Sequence, residues 1–179
     1  MDQTAEVGEV GEVGEVGEVG EVGEVTGTAP DLVDPLALEN QVCFALAVAA
    51  RTVISVYRPL LEPMHLTHPQ YLVMLALWQH APLSVTELSR RLELDPGTLS
   101  PLLKRLEAAG YVTRERARDD ERSLAVRLTP AGSALREQAR RIPPAIVERL
   151  DMGLTELRDL HGALTEVIDA ARRAQRAQG

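Results

Sequence analysis

The sequence predicts a mainly α-helical domain that carries one small β-hairpin. Three observations point there. Among 179 residues there are one Trp, one Phe and three Tyr, while Leu, Ala and Val abound, a composition that favours packed helices over sandwiched sheets. Apolar residues recur at three- and four-residue intervals through most of the chain beyond residue 34, the signature of amphipathic helices. The period falls to two around "YVTRERA" and "SLAVRLT", residues 111–117 and 123–129, which reads as two strands joined by the charged turn "RDDER". The length suits one domain with a real core, plus an appendage.

The appendage comes first. From Glu6 to Gly23 the triplet Glu-Val-Gly occurs six times without interruption, then trails off as Glu24-Val25-Thr26. A period of three fits neither a helical stripe nor strand alternation, and a glycine at every third place surrenders too much backbone entropy to fold alone. Residues 1–30 therefore read as a disordered acidic tail and residues 31–179 as the domain. Collagen has a similar glycine period but needs proline, and the repeat has none. Asp2 and the seven glutamates of residues 1–29, with no Lys or Arg among them, account for the whole formal charge of −8; the remaining 150 residues carry 19 basic and 19 acidic side chains. An acidic chain is thus compatible with a nucleic-acid partner, because the acidity sits in the tail. No basic-then-apolar leader opens the chain and no apolar run approaches the ~20 residues that span a bilayer, so the expectation is a cytoplasmic protein without a membrane partner. A lone cysteine, Cys43, cannot form an internal disulfide and does not begin a zinc site by itself, which fits a reducing compartment. Neither a metal nor a cofactor is expected.

The domain opens on Asp34-Pro35, a cap followed by proline at the first helical position. Leu36, Leu38, Val42, Cys43, Leu46, Ala47, Ala50, Val53, Ile54 and Tyr57 then recur at helical spacing, predicting a long first helix that ends raggedly near Pro59–Pro63. Thr67 stands three before Gln70, the capping-box spacing, and the apolar run to Trp78 predicts a second helix buried on most sides. Ser84 stands three before Glu87 and opens a short third helix. Asp95 caps the fourth, with Pro96 first, a stripe of Leu99, Leu102, Leu103 and Leu106, and Gly110 as the stop. At 100° per residue its opposite face carries Gly97, Pro101, Lys104 and Ala108, flanked by Thr98, Ser100 and Arg105. Thr129-Pro130 caps a new helix, and residues 130–150 and 154–176 read as two closing helices around Pro143-Pro144.

Two short helices joined by three residues, the second with a small and basic outer face, followed by an arginine-bearing hairpin, make a winged helix-turn-helix. Its second helix enters the major groove, where Thr98, Ser100, Lys104 and Arg105 meet base edges or phosphates. The wing carries Arg114, Arg116, Arg118, Arg122 and Arg127, well suited to a narrow minor groove. Residues 84–129 hold nine basic and eight acidic side chains, so charge alone leaves a protein-binding winged helix open.

The segments "ENQVCFALAVAAR", "YRPLLEPMHLTHPQYLVMLALW", "DPGTLSPLLKRLEAAGYVTRERARDDERSLAVRLTPAG" and "IPPAI" together resemble the multiple antibiotic resistance regulator (MarR) family, specifically its organic hydroperoxide resistance regulators of one-cysteine type. The resemblance spans about residues 36–150. Its most specific parts are "NQVCF" in the first helix combined with "PQYLVMLALW" in the second. It implies a winged helix-turn-helix homodimer with interlocked N- and C-terminal helices: dimerisation helices at about 34–62 and 130–177, and the DNA-binding lobe at about 67–129. It further implies a repressor on an inverted-repeat operator in double-stranded DNA, released when an organic hydroperoxide oxidises Cys43 to a sulfenic acid, with no enzyme turnover. Thr98, Ser100, Pro101, Lys104 and Arg105 then face DNA from the recognition helix. Arg114, Arg116, Asp120 and Arg122 belong to the wing, with Arg122 at its tip.

Taken alone, Cys43 is a small hydrophobe, since free cysteines are among the most buried residues. The resemblance makes it the sensor, which needs thiolate character and access for peroxide. Tyr57 corresponds to a tyrosine that hydrogen-bonds the reactive sulfur in that family. It lies 14 residues beyond Cys43, about 21 Å along a straight helix, so the site is expected to be shared between two chains. His68 stands where the family usually has a second tyrosine; it reads either as a donor to the thiolate, or as a cation if protonated, or as a plain interface residue. A further tyrosine of some members is Ala47 here. With no second cysteine, the sulfenic acid passes to a low-molecular-weight thiol or oxidises further. The other readings are a MarR-type repressor gated by a small apolar or phenolic ligand, with Cys43 structural, and a thiol peroxidase.

Overall fold

The computed structural model describes residue 34 and residues 36–116 and 124–177. The tail reading of residues 1–30 and the tip of the hairpin lie outside the described residues. The chain divides at Gln41 into two units. In the first, the Leu36 N–H donates to Asp34 Oδ1 (2.9 Å) and Leu38–Asn40 make one 3-10 turn. The long first helix expected from Asp34 instead starts at Val42. The Asp34 carboxylate is used within its own turn, and Gln41 is extended (φ −82°, ψ 114°), which breaks the helical path.

The second unit begins with α1, Val42–Leu61, continued by a 3-10 turn at Glu62–Met64. His65 ends it in the left-handed region (φ 52°) while the Leu66 N–H returns to the Leu61 carbonyl (3.2 Å), satisfying one of the orphan acceptors of the helix end. Val42–Met64 is long and apolar enough to cross a membrane by length and composition. This corrects the expectation that no apolar run approaches that length: Arg51 and Arg58 interrupt a stretch whose average remains apolar. Each arginine would cost ~2.5–3.5 kcal/mol at a bilayer centre.

The expected second helix is α2, His68–His80, with Tyr71, Val73, Met74 and Leu77 buried. Its capping box is formed: the Thr67 N–H and hydroxyl both donate to Gln70 Oε1, at 2.8 and 2.9 Å. Then come β1, Leu83–Ser84, and α3, Val85–Leu92. Ser84 Oγ accepts the Glu87 N–H (3.1 Å), and the Ser84 N–H donates to Glu87 Oε2 (2.8 Å). The fourth helix, α4, runs Pro96–Ala108, with Leu99, Leu103 and Leu106 buried and Gly110 at φ 76° supplying the stop. The hairpin is β2, Val112–Arg116, and β3, Leu124–Leu128, in antiparallel register from Val112↔Leu128 to Arg116↔Leu124. The sequence predicts two strands; β1 adds a third, pairing Leu83↔Val126 and Ser84↔Ala125, for a sheet order β1-β3-β2. Two residues are too few to show an alternation.

Three helices follow where two were expected: α5, Pro130–Ala139, α6, Ile142–Leu150, and α7, Leu154–Ala177. The break falls at Arg140-Arg141, ahead of the prolines. Pro143 and Pro144 stand in the first turn of α6, where their missing N–H groups have no intrahelical acceptor to lose.

The core gathers Leu61, Met64, Tyr71, Met74, Leu77, Leu88, Leu99, Leu103, Leu106, Val112, Val126, Leu135, Ile142 and Ile146, so α4 and the hairpin stand on a rigid base. By contrast α1 exposes Val42, Phe44, Val48 and Ile54, and α7 exposes Leu154, Leu160, Leu164, Val167 and Ile168. No described residue of α7 is buried.

Candidate nucleic-acid interface and thiol site

With its leucines locked in the core, α4 turns Thr98, Ser100, Pro101, Lys104 and Arg105 outward, and all five are exposed. Asp95 orders the start of this surface. Its carboxylate accepts the Thr98 N–H (2.9 Å) and hydroxyl (2.6 Å), and those bonds hold the acid below the usual carboxylate range. A Cβ on Gly97 would lie 2.9 Å from Asp95 Oδ1, so glycine leaves the cap its space. The Ser100 hydroxyl donates to the Pro96 carbonyl (2.7 Å). Both hydroxyls are thus spent as donors and present acceptor lone pairs outward. Pro101 has no N–H to return to the Gly97 carbonyl.

Charge on this lobe is sorted in a way that composition hides. Glu87 is held by Ser84 and Asp95 by Thr98. Glu107 pairs with Arg114, Glu115 with Arg127, and Glu93 with Arg172 of α7. Among the described residues, no salt bridge reaches Arg90, Arg91, Lys104 or Arg105, all of them exposed. Every acidic side chain described between 84 and 116 has a cap or cation to serve, and a near-neutral lobe shows cations to solvent.

Arg114 is placed differently from the other expected DNA contacts. Its Nε and Nη2 donate to Glu107 Oε2 (2.9 and 2.5 Å), and its backbone N–H donates to Glu107 Oε1 (3.2 Å). The shared hydrogen bonds hold Glu107 low and raise Arg114. Arg114 therefore braces β2 to α4. Arg116 is in β2 opposite Leu124, and Asp120 and Arg122 lie outside the described residues. A second brace, of which the sequence shows only the Thr129 cap, sits at the hairpin base. The Thr129 hydroxyl donates to the Gly110 carbonyl (2.6 Å) and accepts the Gly132 N–H (3.0 Å), while Trp78 Nε1–H donates to the Gly132 carbonyl (2.8 Å).

Cys43 is exposed in the first turn of α1. Tyr57 is near the far end of the same unbroken helix, about 21 Å away at 1.5 Å per residue. The structure brings Tyr57 to His68, with ring centroids 5.1 Å apart and planes at 71°, and to Tyr71, at 6.2 Å; neither meets Cys43 of its own chain. Tyr71, the last residue of the "HPQY" stretch, is the member of this cluster that the sequence reading overlooks. Burial raises Tyr57 and Tyr71 above the usual phenol range, so both keep their protons at neutral pH and remain donors. Burial lowers His68, which favours the neutral imidazole and a hydrogen-bonding role over a charge. Beside this cluster opens a groove of about 530 Å³ lined by Ile54, Arg58, Leu61, His65 and His68 among others.

The profile of the MarR family matches residues 66–124, the span from α2 to the start of β3. The chain is 41% identical over 136 residues to the organic hydroperoxide resistance transcriptional regulator of Bacillus subtilis, covering 76% of this chain and 92% of that protein. It is 46% identical over 136 residues to the HTH-type transcriptional regulator TtmR of Methylorubrum extorquens, covering 76% and 70%. Among solved structures, reduced AbfR bound to DNA superposes with a TM-score of 0.68 at 34% identity, covering 76% of this chain and 94% of that one.

Proposed function

The chain belongs to the MarR family, among its one-cysteine organic hydroperoxide regulators, and from that premise we propose that it is a repressor that leaves its operator when an organic hydroperoxide oxidises Cys43. As a member of that family it is a DNA-binding transcriptional regulator and not an enzyme. The finer reading concerns the signal. It rests above all on one observation: the only thiol and the Tyr57–His68–Tyr71 cluster sit at opposite ends of one helix whose apolar side chains are exposed.

A second copy packed antiparallel on α1 and α7 would bury Phe44, Val48, Ile54, Leu160 and Leu164. It would also bring Tyr57 of one chain toward the thiol of the other. The phenol, still protonated at neutral pH, is then a donor to the sulfur. Attack of the thiolate on the distal peroxide oxygen breaks the O–O bond, leaves Cys43–S–OH, and releases an alkoxide that takes a proton to become the alcohol. Condensation of the sulfenic acid with a low-molecular-weight thiol gives a mixed disulfide and water. The bulkier sulfur disturbs the packed helices and shifts the spacing of the two recognition helices on an inverted repeat. Thr98, Ser100, Pro101, Lys104, Arg105, Arg116, Asp120 and Arg122 carry the DNA contacts. A regulator of DNA of this kind works in the cytoplasm.

The groove beside His68 favours a second reading, in which a small phenolic or other apolar ligand gates DNA binding and Cys43 is structural. One experiment separates the two. Cumene hydroperoxide is expected to abolish operator binding by the wild type and leave Cys43→Ser bound. Equal release of both proteins would sink the redox reading, and continuous consumption of peroxide would make the protein an enzyme.

A further inference from the structure

We propose that the concavity between α3 and the start of α4 seats a phosphate of the DNA backbone on Arg90 and Thr86, and that Arg172 of α7 keeps this seat usable by neutralising Glu93 on its rim. The inference rests on the DNA-binding assignment; it adds a contact from outside α4 and a task for the last helix.

The buried leucine of α3 sets what the helix shows to solvent. With Leu88 in the core, Thr86 and Arg90 lie about 40° apart on the opposite side of the helix, and both are exposed. They line a concavity of about 440 Å³ whose far wall is Leu94 and Pro96. Pro96 is also the first residue of α4, so the hollow runs into the surface that carries Thr98 and Ser100. The Ser89 hydroxyl, on the same wall, donates to the Leu94 carbonyl and fixes the turn between the two helices. Among the described residues, no salt bridge or side-chain hydrogen bond occupies Thr86 or Arg90. A guanidinium and a hydroxyl over a hollow are groups that hold a phosphate. In a helix-turn-helix the first helix crosses the DNA backbone while the second enters the groove, which is where such a pair is needed.

One acid stands against this. Glu93 lines the same hollow and ends α3 in the left-handed region (φ 54°), a place that ordinarily goes to glycine. Unopposed, its carboxylate would meet the phosphate with like charge. It is opposed from 79 residues further along the chain: Arg172 Nη2 donates to Glu93 Oε1, while Asp169 Oδ1 accepts from Arg172 Nη1 (3.1 Å) and steadies the guanidinium. The seat is thus assembled from two distant parts of the sequence, and α3 presents a net cation to the hollow only while α7 is in place.

Magnitudes set the size of the effect. Each phosphate neutralised adds about 0.9 to the salt slope of duplex binding, so losing one seat in each of two lobes removes about 1.8 from the slope of a dimer. The contact is with the backbone and carries no sequence information, so its loss weakens binding to any duplex alike. The Glu93–Arg172 pair is partly exposed on both sides, and its influence on the seat is therefore screened by salt and felt chiefly at low ionic strength.

The test uses the full chain and a labelled random-sequence duplex followed by fluorescence anisotropy across a salt series, with thermal midpoints recorded for every variant. Arg90→Gln is expected to bind about five- to twentyfold more weakly at ~50 mM salt, with a shallower slope, and Arg90→Lys to recover part of the loss. Arg140→Gln, the same loss of charge at the exposed end of α5, is the control and is expected to stay within about twofold of the wild type. Arg172→Gln is expected to bind about threefold more weakly, Glu93→Gln at least as tightly as the wild type, and Glu93→Gln/Arg172→Gln to return to within about twofold of it. Equal losses in Arg90→Gln and Arg140→Gln would overturn the seat, because net charge alone would then account for both. A double variant as weak as Arg172→Gln would overturn the role of Arg172 as a mask for Glu93. Where Arg172→Gln lowers the thermal midpoint, Glu93→Gln decides alone, and weaker binding by that variant would overturn the same role. Absence of duplex binding by the wild type at every salt concentration would instead overturn the DNA-binding assignment itself.

Discussion

Gly132 has no room for a side chain: a Cβ there would lie 2.0 Å from the Tyr111 carbonyl oxygen, which is backbone and cannot rotate away. Gly132→Ala is therefore expected to destabilise the fold by about 2–3 kcal/mol or more, read as a fall in thermal midpoint. A shift in Trp78 emission should accompany it, since the indole N–H donates to the Gly132 carbonyl. At the thiol site, Tyr57→Phe removes one donor and little volume. On the proposed function, loss of a hydrogen bond worth ~1 kcal/mol predicts roughly fivefold slower oxidation of Cys43 by cumene hydroperoxide, measured by mass spectrometry of the quenched thiol. His68 adds a pH dependence of known sign. Burial lowers its folded-state pKa, so as pH falls below ~6.5 the unfolded chain takes the proton first. Its contribution is fully present above that pH and is lost below it until the folded imidazole also titrates. Thermal midpoints from pH 8 to 5 should fall more steeply for the wild type than for His68→Gln.

Helix starts are legible wherever a side chain closes on its own backbone. Thr67/Gln70, Ser84/Glu87, Asp95/Thr98 and Thr129/Gly132 all make the bonds their spacing implies. Asp34 fails the same test because its carboxylate turns to Leu36 within its own unit, an alternative open to any Asx residue and invisible in spacing. The Pro143-Pro144 pair reads as a break in sequence although prolines also open helices, and β1 is too short to have a period. The outward surface of α4 is readable because the leucines of α4 fix what faces outward. The fate of Arg114 is not, because Glu107 is seven residues away on another element and only the fold brings the two together. The brace at the hairpin base makes its own prediction. Thr129→Ala loses a helix cap and a bond to the Gly110 carbonyl, an expected cost of about 1–2 kcal/mol. Hydrogen exchange of the β2–β3 amides should quicken more than that of α2.

The exposed apolar residues of α1 and α7 lie on helices that the family resemblance implies for dimerisation. Leu164→Glu is expected to shift the protein from dimer to monomer in sedimentation velocity and to abolish operator binding at the same time, because one lobe alone reads only a half-site. Composition gives the charge balance of the domain but cannot show that its acids are spoken for, and this is a property of contacts. On the proposed reading, the span of α1 between Cys43 and Tyr57 also sets a stoichiometry. Each dimer holds two sensors, and each sensor draws its sulfur from one chain and its phenol from the other. Mixing Cys43→Ser subunits with Tyr57→Phe subunits should therefore yield heterodimers in which one sensor has lost both parts and the other is whole. Two crippled proteins would together restore half the peroxide-reactive thiol at the wild-type rate.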